Sequence, residues 1–197
     1  VGAIAYSLKV VNQDAVVKFE PYLDSGITNE DSNWDDKFWD TTTVNAIENR
    51  AFVTSYTMKT NFQVCSFMQA NTVYKGKEIN AVKGRSSETF ISTTLEQNVE
   101  KGEEITLYKF GGYTVSTNHD KDKLQEAANA ALDKVTKLGF NKLLEDQKKA
   151  WANIWEMSDI TIQGDVKAQQ AIRFNIFQLN QTYLGTDSRL NIGPKGF

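Results

Sequence analysis

Few residues of this chain can do chemistry. Among 197 residues there is one histidine, His119, and one cysteine, Cys65. A single thiol excludes an intramolecular disulfide and every metal site that needs several cysteines. His119 stands between Asn118 and Asp120, where a strand pattern gives way to helix. The serines that could complete a Ser-His-Asp relay with it, Ser86 and Ser116, lack the glycine-flanked turn that exposes a nucleophile. The expectation is an exposed linker histidine and a cysteine buried as a small apolar residue. The acidic run Asn29-Glu30-Asp31-Ser32-Asn33-Trp34-Asp35-Asp36 sets Asp31, Asn33 and Asp35 at the first three ligand positions of a calcium loop. However, Asp36 takes the glycine position and Thr42 the bidentate glutamate position, so the pattern fails where its geometry is strictest and no metal is expected. Lys83-Gly84-Arg85-Ser86-Ser87 lacks the first glycine and the spacing of a phosphate loop. Carboxylates are plentiful, but none form a pair that spacing alone can set across a cleft for two-acid glycoside chemistry. Trp34, Phe38 and Trp39 remain. Three large aromatics in a polar stretch need a surface to cover: their own sheet, another domain or subunit, or a sugar ring.

The bulk composition narrows the classes further. Lys and Arg number 22 against 25 Asp and Glu, a net charge of −3 with no basic stripe, so a nucleic-acid binder is not expected. No apolar run approaches the length of a membrane span. Hydrophobic residues make 40% and charged residues 24%, ordinary for a folded globular chain.

The elements that must position these residues fall into two regimes. Ile4, Tyr6, Leu8 and Val10 alternate, Asn12-Gln13-Asp14 is turn chemistry, and Val17, Phe19, Pro21 and Leu23 alternate back, which predicts an opening hairpin. Pro21 cannot donate to a ladder and belongs at an edge or strand end. A polar excursion follows from Asp24 to Thr43. Further strands are predicted over Arg50 to Lys59, Asn61 to Tyr74, Glu88 to Val99 and Ile105 to Thr117. Tight turns are expected at Lys75-Gly76-Lys77 and Glu100-Lys101-Gly102-Glu103. Short strands at this spacing read as an antiparallel β-sandwich, with Gly111-Gly112 marking a bulge or a close backbone approach.

The period then changes from two to 3.6. Leu124, Ala128, Ala131, Val135 and Leu138 form one apolar stripe, with Asp120 as N-cap and Gly139 as stop. A second helix covers Asn141 to Met157, bringing Leu144, Trp151 and Trp155 to one side. A third, Asp165 to Leu184, carries two stripes: Ile172, Ile176, Leu179 and Tyr183 on one side, Phe174, Phe177 and Leu184 on the other. Apolar residues on two sides predict burial between layers, which argues against use of the Asn180-Gln181-Thr182 sequon. The chain opens inside a strand pattern without Met and ends in a turn-rich loop, so it reads as a piece of a longer protein.

Two C-terminal segments carry a likeness. Gln170-Ala171-Ile172-Arg173-Phe174-Asn175-Ile176-Phe177-Gln178-Leu179 and Arg189-Leu190-Asn191-Ile192-Gly193-Pro194-Lys195-Gly196-Phe197 resemble the start of the catalytic barrel of glycoside hydrolase family 65. Asp35-Asp36-Lys37-Phe38-Trp39-Asp40 and Trp151-Ala152-Asn153-Ile154-Trp155 are similar to further segments of that family, in the same order. The family includes maltose, trehalose and kojibiose phosphorylases, and the maltose-acting type of lactic acid bacteria is the nearest likeness.

The resemblance implies an antiparallel sandwich portion over residues 1–117, a helical linker over 118–158, and the first helix of an α/α barrel over 159–197. It implies a parent reaction in which a disaccharide such as maltose is cleaved by phosphate with inversion, giving glucose and β-glucose 1-phosphate. In such enzymes a Glu protonates the glycosidic oxygen and phosphate attacks the anomeric carbon directly. By the same resemblance that Glu lies on a later barrel loop, so no catalytic residue is expected in this chain, and the chain alone is expected to be inactive. Phosphate is a co-substrate, and no cofactor or metal is implied. Lys195, Gly196 and Phe197 are expected at the mouth of the substrate pocket, and Trp34, Phe38 and Trp39 at an interface or against a sugar. The implied partners are a disaccharide, phosphate and a second copy in a homodimer, without nucleic acid or membrane, in the cytoplasm. The competing expectation is a carbohydrate-binding or dimerising sandwich without catalysis.

Overall fold

The computed structural model describes residues 1–28, 37–183 and 185–190, which divide into two compact units, Val1–Leu143 and Leu144–Phe197. Among the described residues the first unit holds ten strands: β1 Gly2–Lys9, β2 Ala15–Phe19, β3 Tyr22–Asp24, β4 Trp39–Ile47, β5 Arg50–Thr57, β6 Gln63–Tyr74, β7 Lys77–Asn80, β8 Val82–Ser86, β9 Phe90–Val99 and β10 Glu104–Val115. They build two sheets, antiparallel in every described pair. The larger runs β1-β10-β6-β5-β4, with β7 also on β6; in the smaller, β2, β3 and β8 all pair with β9.

The opening hairpin does not form. β1 pairs with β10 in the larger sheet and β2 with β9 in the smaller. The connection between them crosses from one sheet to the other, tied by Val10 N donating to Glu103 O and Lys101 N donating to Asp14 Oδ1. Alternation identifies a strand but not its neighbour. Pro21 lies between β2 and β3, and its carbonyl accepts from Thr93 N. β4 begins at Trp39, inside the stretch to Thr43 that its composition marks as a polar excursion. The Lys75-Gly76 turn has both residues at positive φ, 48° and 74°, the mirror-image turn that suits strand twist.

The larger sheet is clothed on both faces. Ala70, Tyr74 and Ile105 meet Val17, Phe19, Leu95 and Val99 of the smaller sheet, and Ala51, Val53 and Met68 meet Ile91. The alternate residues Phe52, Cys65, Phe67 and Phe110 face Leu124, Ala128, Leu132 and Val135 of the helix that follows. Each fully buried leucine in that seam contributes roughly 2 kcal/mol. No bulge occurs at Gly111-Gly112, where the β10–β6 register is unbroken. The close approach is real: a Cβ on Gly111 would stand 2.9 Å from Phe67 O, and one on Gly112 3.0 Å from the Phe67 ring.

After β10 a short 3-10 turn, Lys121–Lys123, leads into α1, Leu124–Ser158. Asp120 precedes that turn without a side-chain cap; instead Thr114 Oγ1 donates to Leu124 O and pins the helix start to β10. Gly139 breaks α1 with φ 75° and ψ 164°. This backbone region belongs essentially to glycine. The buried stripe includes Leu132, while Leu138, next to the break, is exposed.

In the second unit Trp151 of α1 stacks on Phe177 of α2, Val166–Thr182, at 4.9 Å between centroids. Asp165 caps α2 by accepting from Ala168 N. α2 is not buried on both sides: Ile176 is buried, but Phe174 and Leu179 are 58% and 65% exposed. Asn180, the sequon residue, donates to Ile176 O. No helix among the described residues is long and apolar enough to cross a membrane.

Candidate functional site

Of the candidate site residues named from the sequence, Phe38 and Trp39 are the two within the described residues. Trp34, Lys195, Gly196 and Phe197 lie outside the described residues, as does Leu184. Trp39 opens β4, an edge strand, and its ring meets Phe62 edge-on at 6.5 Å. Phe38 lies just before it, its carbonyl accepting from Met58 N. The corner is held by Asp40, whose carboxylate accepts from Thr41 N and from Tyr56 Oη and lies 3.6 Å from Lys37 Nζ. The hydrogen bond to that carboxylate, and its charge, push the Tyr56 phenol above its ordinary pKa. Beside it is a cavity of about 480 Å³ lined by Lys37, Phe38, Thr57, Met58, Lys59 and Thr60. Phe38, Trp39 and Met58 keep 41%, 37% and 56% of their surface exposed. This mix of apolar rings and flanking ammonium groups can cover a partner surface.

The other residues behave as their types suggest. His119 is exposed in the turn after β10. Cys65 is fully buried, and desolvation raises its thiol pKa despite the hydroxyls of Thr54 and Thr114. Lys83 to Ser86 belong to β8, so that segment is no phosphate loop. Among the described residues no three His, Cys, Asp or Glu side chains come together to hold a cation.

Sequence reading missed the polar clamps. Arg50, a fifth exposed, donates through Nε to Gln69, through one terminal nitrogen to Asn129 and through the other to Asp133. It thus fixes the first arm of α1 on the larger sheet. In the second unit Arg173 grips Asp159 with two bonds of 2.9 and 2.6 Å. The guanidinium holds the Asp159 carboxyl below its ordinary pKa. Gln169 accepts from Ile162 N and donates to Ile160 O, fastening the connector along α2. Asp187 accepts from Arg189 through both carboxylate oxygens, which lowers its pKa to about 2. A cavity of about 860 Å³ lies along α2, lined by Trp155, Arg173, Phe174 and Phe177 among others.

This fold matches known proteins. The family model for the N-terminal domain of glycosyl hydrolase family 65 matches residues 1–154. The chain belongs to this family. A maltose phosphorylase of Bacillus subtilis (strain 168) is 34% identical over 99% of this chain and 25% of its own length. An alpha,alpha-trehalose phosphorylase of Thermoanaerobacter brockii is 29% identical over 99% of this chain and 26% of its own. A solved structure from the human microbiome, assigned as a kojibiose phosphorylase, superposes with a TM-score of 0.80 at 26% identity, over 98% of this chain and 25% of that one. The family 65 chain therefore spans about a quarter of the length of the relatives it matches. Those relatives are disaccharide phosphorylases, and the portion covered by the family model is the β-sandwich with most of the helix that follows it.

Proposed function

We propose that the whole protein phosphorolyses an α-linked glucose disaccharide with inversion, and that maltose is its substrate. One observation carries this reading: the 34% identity to a maltose phosphorylase runs along 99% of the chain. In the proposed reaction a carboxylic acid outside this chain protonates the glycosidic oxygen while phosphate attacks the anomeric carbon from the opposite face. Phosphate needs no protein base to become a nucleophile, so one acid suffices.

In this reading residues 1–117 are the sandwich scaffold, 118–158 the helical linker and 159–197 the start of an α/α barrel. The chain by itself does no chemistry. Lys195, Gly196 and Phe197 shape the mouth of the substrate pocket. The corner of Phe38 and Trp39, with Trp34, meets another domain or the second copy of a homodimer. A cytoplasmic location suits an enzyme fed by intracellular phosphate.

The test supplies the full-length protein with phosphate and, separately, maltose, trehalose or kojibiose, and follows glucose 1-phosphate. Maltose should give the highest kcat/KM, and the anomeric signal of the new ester should be β. An α product would refute inversion, preference for another disaccharide would refute the maltose assignment, and hydrolysis without phosphate incorporation would refute phosphorolysis. Residues 1–197 alone should show no turnover above buffer.

A further inference from the structure

We propose that the outer face of the smaller sheet carries a sugar-binding platform, built from Tyr22, Phe90, Arg85 and Glu20, that takes a neutral glucose oligomer. Alternation along β9 sets the face. Ile91, Leu95 and Val99 point into the sandwich, so Phe90 and Ser92 belong to the opposite side. Tyr22 stands opposite Ser92 in the β3–β9 ladder, and its ring stacks on Phe90 at 5.3 Å with 25° between planes. The Arg85 guanidinium lies 5.3 Å from the centre of the same Phe90 ring. Tyr22 is 54% exposed.

The polar half is ordered from beneath. Ser92, wholly buried, donates from Oγ to Glu20 Oε1 at 2.9 Å and accepts from Arg85 N at 2.8 Å. The same Glu20 oxygen accepts from Arg85 Nε at 2.7 Å. Gly84 makes this closeness possible, since a Cβ there would lie 2.5 Å from Ser92 Oγ. An exposed arginine ordinarily keeps its rotamer freedom. Here the side chain, 76% exposed, is held by a carboxylate and an aromatic face. The guanidinium spends one of its five N–H donors on Glu20 and has no other hydrogen-bond partner among the described residues.

This combination fits a pyranose. An exposed aromatic ring receives the C–H face of a sugar, and a fixed guanidinium beside a carboxylate offers donors and an acceptor to neighbouring hydroxyls. The pair is neutral overall, and Glu20 would repel an anion, so a neutral ligand is favoured over a phosphate. The choice of glucose as the repeating unit rests on the phosphorylase reading above. A purely structural role, a clasp between β8 and the β2–β3 corner, is the competing account.

Affinity electrophoresis of the full-length protein through a gel containing soluble starch separates the two, and any retardation that survives both Tyr22→Ala and Arg85→Gln belongs to the reaction site. The wild type should be retarded. Tyr22→Ala and Arg85→Gln should each weaken binding about fivefold or more, as loss of a central aromatic or arginine contact does, while kcat for maltose stays unchanged. An unretarded wild type overturns the proposal, and so do variants that melt earlier yet are retarded like the wild type. Should Arg85→Gln fail to fold, Tyr22→Ala decides, because the Tyr22 side chain takes no part in the Glu20–Ser92 bonds. Starch retention and phosphorolysis are read separately, so a protein that cleaves maltose without binding starch overturns the platform alone, and one that binds starch without phosphorolysis overturns the reaction alone.

Discussion

Replacing Arg50 by Ala removes three hydrogen bonds at once. Two go to the neutral amides of Gln69 and Asn129, both at 2.9 Å, and the third to Asp133, whose side chain is 67% exposed. Hydrogen bonds to a charged group are worth about 1.5–3 kcal/mol each after the exchange with water, and solvent at this partly exposed site keeps them at the low end. The exposed ion pair adds no more than about 1 kcal/mol. The lost packing of the Arg50 stem over the sheet adds a little more. The expected loss is about 2–4 kcal/mol, a large part of the stability of a small domain. Urea titration of the chain, followed by circular dichroism, measures it as a lower midpoint at unchanged slope. A double-mutant cycle with Asn129→Ala should show coupling of at least about 0.5 kcal/mol. Arg50→Lys should recover less than half, since one ammonium cannot span three acceptors in a planar fork. A loss under about 0.5 kcal/mol, or strict additivity with Asn129→Ala, would refute the clamp.

Three further outcomes are expected. Gly139→Ala must strain the left-handed backbone at φ 75° and should cost about 1–3 kcal/mol; a neutral or stabilising effect by thermal melt would show that α1 can run unbroken. Arginine partners hold Asp187, Asp159 and Glu20 below their ordinary values of 3.8, 3.8 and 4.5, Asp187 at about 2. Depressed carboxylates stabilise the fold above their unfolded pKa and lose that contribution as pH falls through the folded one. Melting temperature should therefore hold down to about pH 5 and fall between about 4.5 and 2, and a flat profile across that window would contradict the pairing. Cys65 should resist a thiol reagent at pH 8 while the chain is folded and react fully in denaturant, because burial raises its pKa; fast native labelling would mean that α1 does not cover it.

Much of the strand content was legible because β5, β6, β9 and β10 alternate strongly between apolar residues bound for different layers. Pairing was not. Ile4 and Tyr6 share the same alternation as Val17 and Phe19, yet they join different sheets, and only distant partners decide that. β4 escaped notice because Thr41, Thr42, Thr43 and Asn45 dilute its apolar rhythm on an edge strand. Leu138 fits the helical stripe by spacing, but the break at Gly139 leaves it exposed while Leu132 is buried. The helical pattern of α2 was readable from its apolar spacing; the exposure of Phe174 was not. Glu20, Arg85 and Ser92 come together across 65 and 72 positions, a distance at which no local spacing rule operates.

The two sheets are wired differently. The larger is a chain of neighbours, in which an edge strand such as β1 or β4 can peel away and leave the remaining pairs intact. The smaller is a hub: β2, β3 and β8 each pair with β9. Opening β9 strips all three of their ladder partner in one event, so amide protons across the smaller sheet should exchange together as one cooperative block. Those of the larger sheet should form a gradient, slowest at β6 and fastest at its rims. One strand thus governs whether half of the sandwich exists at all, and a substitution at Ile91 or Leu95 reaches residues that it never touches.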